Sequence, residues 1–304
     1  MLTIAQAFQQ FLESLELTPK QREKASNQHR HMREQLQGRL DVADNFLSGS
    51  YKRSTAVRPL NDIDIFLVLG GSYANYTPAQ LLKLIQSELE GIYEGKTSTP
   101  QASSVHIAFV DTKIAYDVVP AFLVREDVYA IPKTDASGWI HTNPKVHMER
   151  STTANKTAGD KLKPLFKAIK HAKNHYKSPA RSFHLEVLSW SVFDSPPANY
   201  LEGLDQLLRS LAQRACDSCP DPAGLGPDIR PSTARCEQTQ RWLESMSTLA
   251  SAALSLSRDG KTGEAHAKLR ELFGPAWPEK GTPGKAAAVV AGGGAVDDSR
   301  SRFG

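Results

Sequence analysis

The chain has 304 residues, 40% hydrophobic and 23% charged, so it can bury one large core or two moderate ones. Its formal net charge of +4 suits a polyanionic ligand such as a nucleotide but is too mild to identify one. No apolar run approaches the ~18 residues a membrane span requires, and the N-terminal stretch carries Glu13 and Glu16 without a basic leader; these features predict a cytoplasmic protein with no membrane partner.

Ile4, Phe8, Phe11, Leu12 and Leu15 fall at helical spacing and predict an amphipathic helix over 3–16. Thr18-Pro19 restarts a second, polar helix over 20–38, with the threonine as cap and the proline in the first turn. A short strand around Asn45–Leu47 leads into a Gly49-Ser50 turn, and residues 51–57 predict a brief helix. Ile63–Leu69 is the first strong strand. Thr77-Pro78 caps a helix whose Leu81, Leu82, Ile85 and Leu89 share a face. Strands follow at Val105–Val110 and at Ile114–Val119, stopped by Pro120 and joined through a hairpin turn at Asp111-Thr112-Lys113. After Thr153 the pattern is helical, over 157–176, 182–194, 199–215, 233–257 and 262–273, with an irregular Pro- and Gly-rich connection from Cys219 to Pro231. The expected class is therefore α+β: a small mixed sheet flanked by helices over 1–152, a helical domain over 153–274, and a Gly- and Ala-rich flexible tail over 275–304.

Two carboxylates open the strongest strand. Asp62 and Asp64 stand two apart, so in a strand they project to the same face. Asp117 interrupts the apolar IAYDVVP. Taken singly, Asp62 could belong to an Asn61-Asp62 turn and Asp117 to a salt bridge. Taken together, three carboxylates on neighbouring strands call for a compensating cation, because a buried charge left unpaired costs several kcal/mol. Mg²⁺ suits them best, since it accepts oxygen ligands, keeps waters and binds through one or two carboxylates plus substrate phosphates. Two such ions, about 4 Å apart, can activate a hydroxyl and stabilise a leaving pyrophosphate; Mn²⁺ is the alternative. Upstream, with eleven residues between Ser50 and Asp62, Gly49 and Ser50 form a turn that lets a phosphate approach the main chain, with amide and hydroxyl donors at hand.

The combination GS…D-x-D with a third Asp on a later strand resembles the DNA polymerase β-like nucleotidyltransferases. Within them, GSYKRSTAVRPLNDIDI is similar to the branch of oligoadenylate synthase and cyclic GMP–AMP synthase, whose bacterial members are the CD-NTases of anti-phage signalling. KLKPLFKAIKHAKNHY and SFHLEVLSW extend the likeness into the helical half, so that it covers roughly residues 46–195. The resemblance implies a polymerase β-like core and Mg²⁺-dependent joining of NTPs, ATP foremost, into a cyclic di- or trinucleotide. It implies that Gly49 and Ser50 hold the triphosphate. It gives Asp62 and Asp64 both metal ions and Asp117 the ion that activates the attacking ribose hydroxyl. Lys167 and Lys170 would reach the triphosphate, although residues alone allow a solvated basic face there. Ser182 would contact the nucleotide, Phe183 would stack on its base or simply fill a core, and Arg53 would meet nucleotide or acceptor. Neither a zinc-binding insertion nor a long basic segment is present in the sequence, so no nucleic-acid activator is implied.

Other readings remain. A related enzyme would modify an RNA end or a protein, and a non-catalytic nucleotide-binding scaffold would have no need of three carboxylates. A regulatory protein partner is expected, with a conjugating enzyme acting on the C-terminal Gly304 as one form of it. Cys216-x-x-Cys219 has the spacing of a metal half-site, but no histidine lies near it, so Cys216, Cys219 and Cys236 are expected as free thiols. His141, His147 and His184 have no ligand spacing and receive no role.

Overall fold

Three helices start on the same device. Thr3, Thr18 and Thr77 each accept from the amide three residues on, and Gln6, Gln21 and Gln80 reach back to the cap amide, closing capping boxes. They open α1 (Ile4–Leu15), α2 (Pro19–Gln37) and α4 (Pro78–Ile92) in the computed structural model, which describes residues 1–278 apart from 61 and 232. The expected tail over 275–304 begins too early: Gly274–Ala276 form a tight turn and Trp277 is buried in the helical core, while residues 279–304, with the Gly304 expectation, lie outside the described residues.

The first core forms on one sheet. Strands β1 (Val42–Leu47), β2 (Asp62–Leu69), β3 (Ser98–Pro100), β4 (Val105–Phe109) and β5 (Ile114–Arg125) lie in the order β1-β2-β5-β4-β3, and β6 (Val128–Pro132) and β7 (Trp139–Thr142) extend from the far end of β5. Among the described strand pairs only β2–β5 is parallel. Alternation splits β2 cleanly. Ile63, Ile65, Leu67 and Leu69 bury against α2 and α4 with Tyr116 and Val118 of β5, each fully buried Leu or Ile being worth roughly 1.5–3 kcal/mol. Asp62, Asp64, Phe66 and Val68 therefore occupy the opposite face, where Phe66 and Val68 pack with Val119 and Ala121.

The second core is helical. It joins α6 (Leu162–His175), α7 (Ser182–Ser189), α8 (Tyr200–Arg214), α9 (Thr233–Arg258) and α10 (Thr262–Phe273) to α1. Phe11 and Phe273 approach to 4.5 Å between ring centres, and Phe8 and Trp277 to 4.9 Å. Thus α1 packs with the helical half, although it precedes the sheet in sequence. The expected boundary at residue 152 falls inside α5 (Pro144–Thr157), a helix whose few buried residues, Ser151 and Ala154, leave little apolar periodicity to read.

Several expectations change. The brief helix is α3 (Gly49–Lys52), not 51–57, because Ser54 takes a left-handed φ of 60° and ends it. β5 runs through Pro120, which sits after the last pair with β4 and before the first with β6, so on that edge no ladder hydrogen bond is lost. Gly159 and Asp160, at φ 58° and 60°, separate α5 from α6 within the expected helix 157–176. Cys216 and Cys236 are joined in a disulfide with Cα atoms 4.9 Å apart, correcting the expectation of three free thiols: the fold brings the end of α8 beside the start of α9, which sequence spacing does not show. Cys219 is free and buried. Among the described residues no helix is long and apolar enough to cross a membrane.

Candidate active site

Register brings the carboxylates together. Asp64 of β2 pairs directly with Asp117 of β5 in the parallel ladder, and Asp62 lies two residues earlier on the same face. On the other side of β5, His106 of β4 is the cross-strand partner of Asp117, and its Nδ1 lies 2.8 Å from Asp117 Oδ1. The ladder closes on Phe109 opposite Ile114, so the connecting turn holds the four residues 110–113; the expected three-residue turn Asp111-Thr112-Lys113 would have set Ile107 opposite Asp117. His106 was therefore not readable from the sequence, because one residue of turn length decides which side chain faces Asp117.

Gly49 sits over Asp64. The strand-to-helix turn is pinned by Ser48 N donating to Asp64 O at 2.8 Å. Gly49 has a φ of +60°, and a Cβ added there would overlap the Asp64 carboxylate and lie 3.1 Å from its Cβ. Only glycine fits this approach. Gly49 and Ser50, with Asp62 and Asp64, line one side of a cavity of about 440 Å³, within the size range of small-ligand sites.

The helical half supplies the opposite wall: Lys170, Lys173 and Asn174 from α6, Ser182, Phe183 and Glu186 from α7. Lys170 Nζ donates to Thr55 O at 3.1 Å, and Lys173 Nζ donates to Ser182 Oγ at 3.0 Å. Burial pulls both ammonium groups below their usual range. Lys167 points elsewhere: it is buried and paired with Glu16 just beyond α1, and it is not among the cavity residues. Three residues turn a helix by about 300°, so Lys167 and Lys170 differ by about 60° in direction, enough to part them here.

Arg53 lines the cavity but is already engaged. Its guanidinium makes paired hydrogen bonds to Glu186 at 2.8 and 3.0 Å, Thr55 Oγ1 joins the same carboxylate at 3.2 Å, and the guanidinium carbon lies 4.8 Å over the Phe183 ring. Phe183 is only partly buried; it forms cavity wall as well as packing. Glu186, Lys173, Asn174 and His147 are among the polar cavity residues to which sequence reasoning gave no role. Glu186 and Lys173 stand among ordinary helix residues, and His147 lies on a helix the sequence did not announce.

Electrostatics single out Asp64. Burial foremost, then the charges of Asp62 and Asp117, push its carboxyl up to about 6, against the pull of Arg53 and Lys170. Burial likewise raises Asp117, opposed by its bond to His106. Carboxylates made costly by one another are relieved by a divalent cation. Among the described residues no three His, Cys, Asp or Glu side chains close into a cage that would hold a metal unaided. Magnesium does not need one, because waters and substrate phosphates complete its octahedron. Asp62 and Asp64 on one strand face, with Asp117 paired to Asp64, are the carboxylates that would hold such an ion.

The model of the Second Messenger Oligonucleotide or Dinucleotide Synthetase domain matches residues 2–155. A cyclic AMP-AMP-AMP synthase of Acinetobacter sp. is 26% identical over 302 residues, covering 91% of this chain and 86% of that protein. A cyclic AMP-AMP-GMP synthase of Enterobacter hormaechei is 30% identical over 122 residues, 37% of this chain and 32% of the relative. Among solved structures, E. coli MS115-1 CdnC in complex with HORMA-deltaN superposes with a TM-score of 0.73 at 17% identity, covering 90% of this chain and 98% of CdnC. Bradyrhizobium diazoefficiens CdnG in complex with GTP gives 0.69 at 16%, covering 88% and 95%. At such identities the structural likeness is one of fold. The matched domain takes in half of the chain, including Gly49 and all three aspartates, and the chain belongs to this synthetase family as a bacterial CD-NTase, a nucleotidyltransferase that makes cyclic oligonucleotides.

Proposed function

We propose that the protein joins NTPs, with ATP as a donor, into an adenine-containing cyclic di- or trinucleotide in a Mg²⁺-dependent reaction, and that the product is a second messenger in anti-phage signalling. The observation that carries the reading is the direct pairing of Asp64 with Asp117 on the sheet face beneath Gly49, opposite Lys170 and Lys173. Names of relatives, cyclic AMP-AMP-AMP and cyclic AMP-AMP-GMP synthase, support adenine and a ring of three nucleotides.

Each residue has a task in this scheme. A ribose hydroxyl attacks the α-phosphorus of the donor; one P–O bond forms there, the bond to the bridging oxygen breaks, and pyrophosphate leaves. Gly49 leaves room for the triphosphate beside the main chain, and Ser50 offers a hydroxyl donor. Lys170 and Lys173 meet the phosphate charge, which is the larger part of catalysis where positioning and electrostatics dominate. Asp62, Asp64 and Asp117 would hold Mg²⁺, or Mn²⁺ in its place, which when bound supplies charge to the attacking and leaving oxygens. Arg53 acts through Glu186 and Phe183 and shapes the base-binding wall. The structure of CdnC with HORMA-deltaN supports a regulatory protein partner here as well.

The test is incubation of the purified protein with α-labelled NTPs, singly and mixed, with Mg²⁺ or Mn²⁺, followed by phosphatase treatment and mass spectrometry. A phosphatase-resistant cyclic product that Asp62→Asn and Asp64→Asn abolish is the expected result. Label that precipitates with RNA or protein would transfer the activity to a macromolecular acceptor. No product under any metal and nucleotide mix would overturn the synthase reading.

A further inference from the structure

The irregular connection between α8 and α9 reaches the cavity through one histidine. Asp221 shapes this segment: its Oδ2 accepts from the amides of Leu225 and Gly226 at 3.0 and 3.1 Å, and its own carbonyl accepts from Gly224 N at 2.8 Å. Cys219 and Ile229 close the base with two backbone hydrogen bonds, at 3.1 and 2.7 Å. The other carboxylate oxygen, Oδ1, lies 2.9 Å from His147 Nε2, with side-chain exposures of only 9% for Asp221 and 12% for His147. His147 lines the substrate cavity, and its ring centre lies 5.4 Å from that of Phe183.

The same segment braces α7. Arg181 Nη1 donates to Arg230 O at 3.0 Å, and His184 Nε2 lies 2.7 Å from Asp217 O, so both residues flanking Ser182 and Phe183 are tied to it. It therefore fixes α5, through His147, and α7, through Arg181 and His184, on the two sides of Phe183. Burial tends to raise the Asp221 carboxyl, but the bonds from His147, Leu225 and Gly226 prevail and bring it to about 2, so the anchor is an anion at every working pH.

We infer that Asp221 is a positioning residue for the nucleotide base: by holding His147 against Phe183, it sets the wall on which the base rests. Catalysis at the aspartates proceeds without it, but the nucleotide is held less tightly when that wall is loose. This rests on the nucleotide site described above. Freeing one wall side chain restores the ordering entropy that binding must then remove, equivalent to a roughly three- to tenfold loss of affinity.

The full chain is tested by ATP binding and by steady-state kinetics in ATP, with thermal unfolding alongside. Asp221→Ala should raise the Kd and KM for ATP roughly three- to tenfold with kcat changed less than twofold. Asp221→Asn, which keeps an acceptor for the amides and a partner for His147, should recover most of this. His147→Gln keeps a partner for Asp221 but removes the ring beside Phe183; it should raise the Kd while leaving Tm near that of the parent, and it decides the matter if Asp221→Ala does not fold. Unchanged Kd and KM in His147→Gln, or a fall in Tm and kcat alone in Asp221→Ala, overturns the inference. If the parent protein binds ATP but makes no product, the synthase reading fails and this one is still decided by the Kd values; if it binds no ATP, both fail.

Discussion

Asp64 is held as a carboxylate against its own folding energy, and replacing it should show this directly. Its folded carboxyl titrates at about 6 against an ordinary 3.8, raised first by burial and then by Asp62 and Asp117. A group whose pKa rises on folding favours the folded state while protonated. That advantage is complete below 3.8, is lost as pH rises toward about 6, and does not change above it. The shift of roughly 2 units corresponds to ~3 kcal/mol, the most that the charge can take from stability at pH 8. Asp64→Asn keeps the shape and removes the charge. Without divalent ions the variant should therefore be more stable than the parent, by up to ~3 kcal/mol at pH 8 and about half of that at pH 5. Urea unfolding in the presence of a chelator measures the gap. Added Mg²⁺ should stabilise the parent and narrow it, since an ion that binds only the folded state shifts unfolding by mass action. The variant should make no product at any pH. A variant less stable than the parent at pH 8, or a gap that does not grow with pH, would refute the account of Asp64 as a like-charge-strained metal ligand.

The remaining expectations concern its neighbours. Gly49→Ala places a methyl in the Asp64 carboxylate at a φ of +60°, which should cost ~1–2 kcal/mol in backbone strain and displace Asp64, lowering product formation roughly 10²-fold at saturating NTP. Arg53→Ala leaves Glu186 buried without its partner and should destabilise the fold by ~3–5 kcal/mol in urea unfolding, whereas the double change Arg53→Ala with Glu186→Gln should recover part of that loss. Lys170→Ala should reduce kcat/KM by roughly 10- to 100-fold through lost phosphate contact, while Lys167→Ala should act mainly on Tm, because its ammonium is committed to Glu16.

Much of the site was legible because strand alternation is a local property. Asp62 and Asp64 two apart on a strand must share a face, and the eleven residues between Ser50 and Asp62 leave room only for a short return. The Asp64–Asp117 pairing needs one further fact, that β2 and β5 are adjacent and parallel, and no local pattern supplies it. Helical residues were harder to assign. Lys167 and Lys170 look equivalent in sequence, and only the docking of α6 against α1 shows that one of them serves Glu16 and the other the cavity. The disulfide from Cys216 to Cys236 spans the connection between α8 and α9, a geometry set by the packing of those two helices rather than by spacing. β6, β7 and α5 were not expected, because short strands and a polar helix carry little periodicity; with them went His147.

The cavity lies on a seam, and this explains why so many of its polar residues are paired with one another. The aspartates belong to a sheet whose core is made with α2 and α4, while Lys170, Ser182 and Phe183 belong to the helical core that includes α1. Neither core determines the distance between the two sets of groups. That distance depends on polar contacts across the seam: Arg53 and Thr55 with Glu186, and Lys170 with the Thr55 carbonyl. Hydrogen bonds have directional geometry that apolar packing lacks, and buried ones are costly to leave unmade. A few such bonds can therefore set the spacing between the aspartate-bearing sheet face and α6 more closely than a larger apolar interface could. Substitutions at the seam that leave no buried charge unpaired should in consequence change nucleotide affinity and rate before they change the fold, the reverse of substitutions in either core.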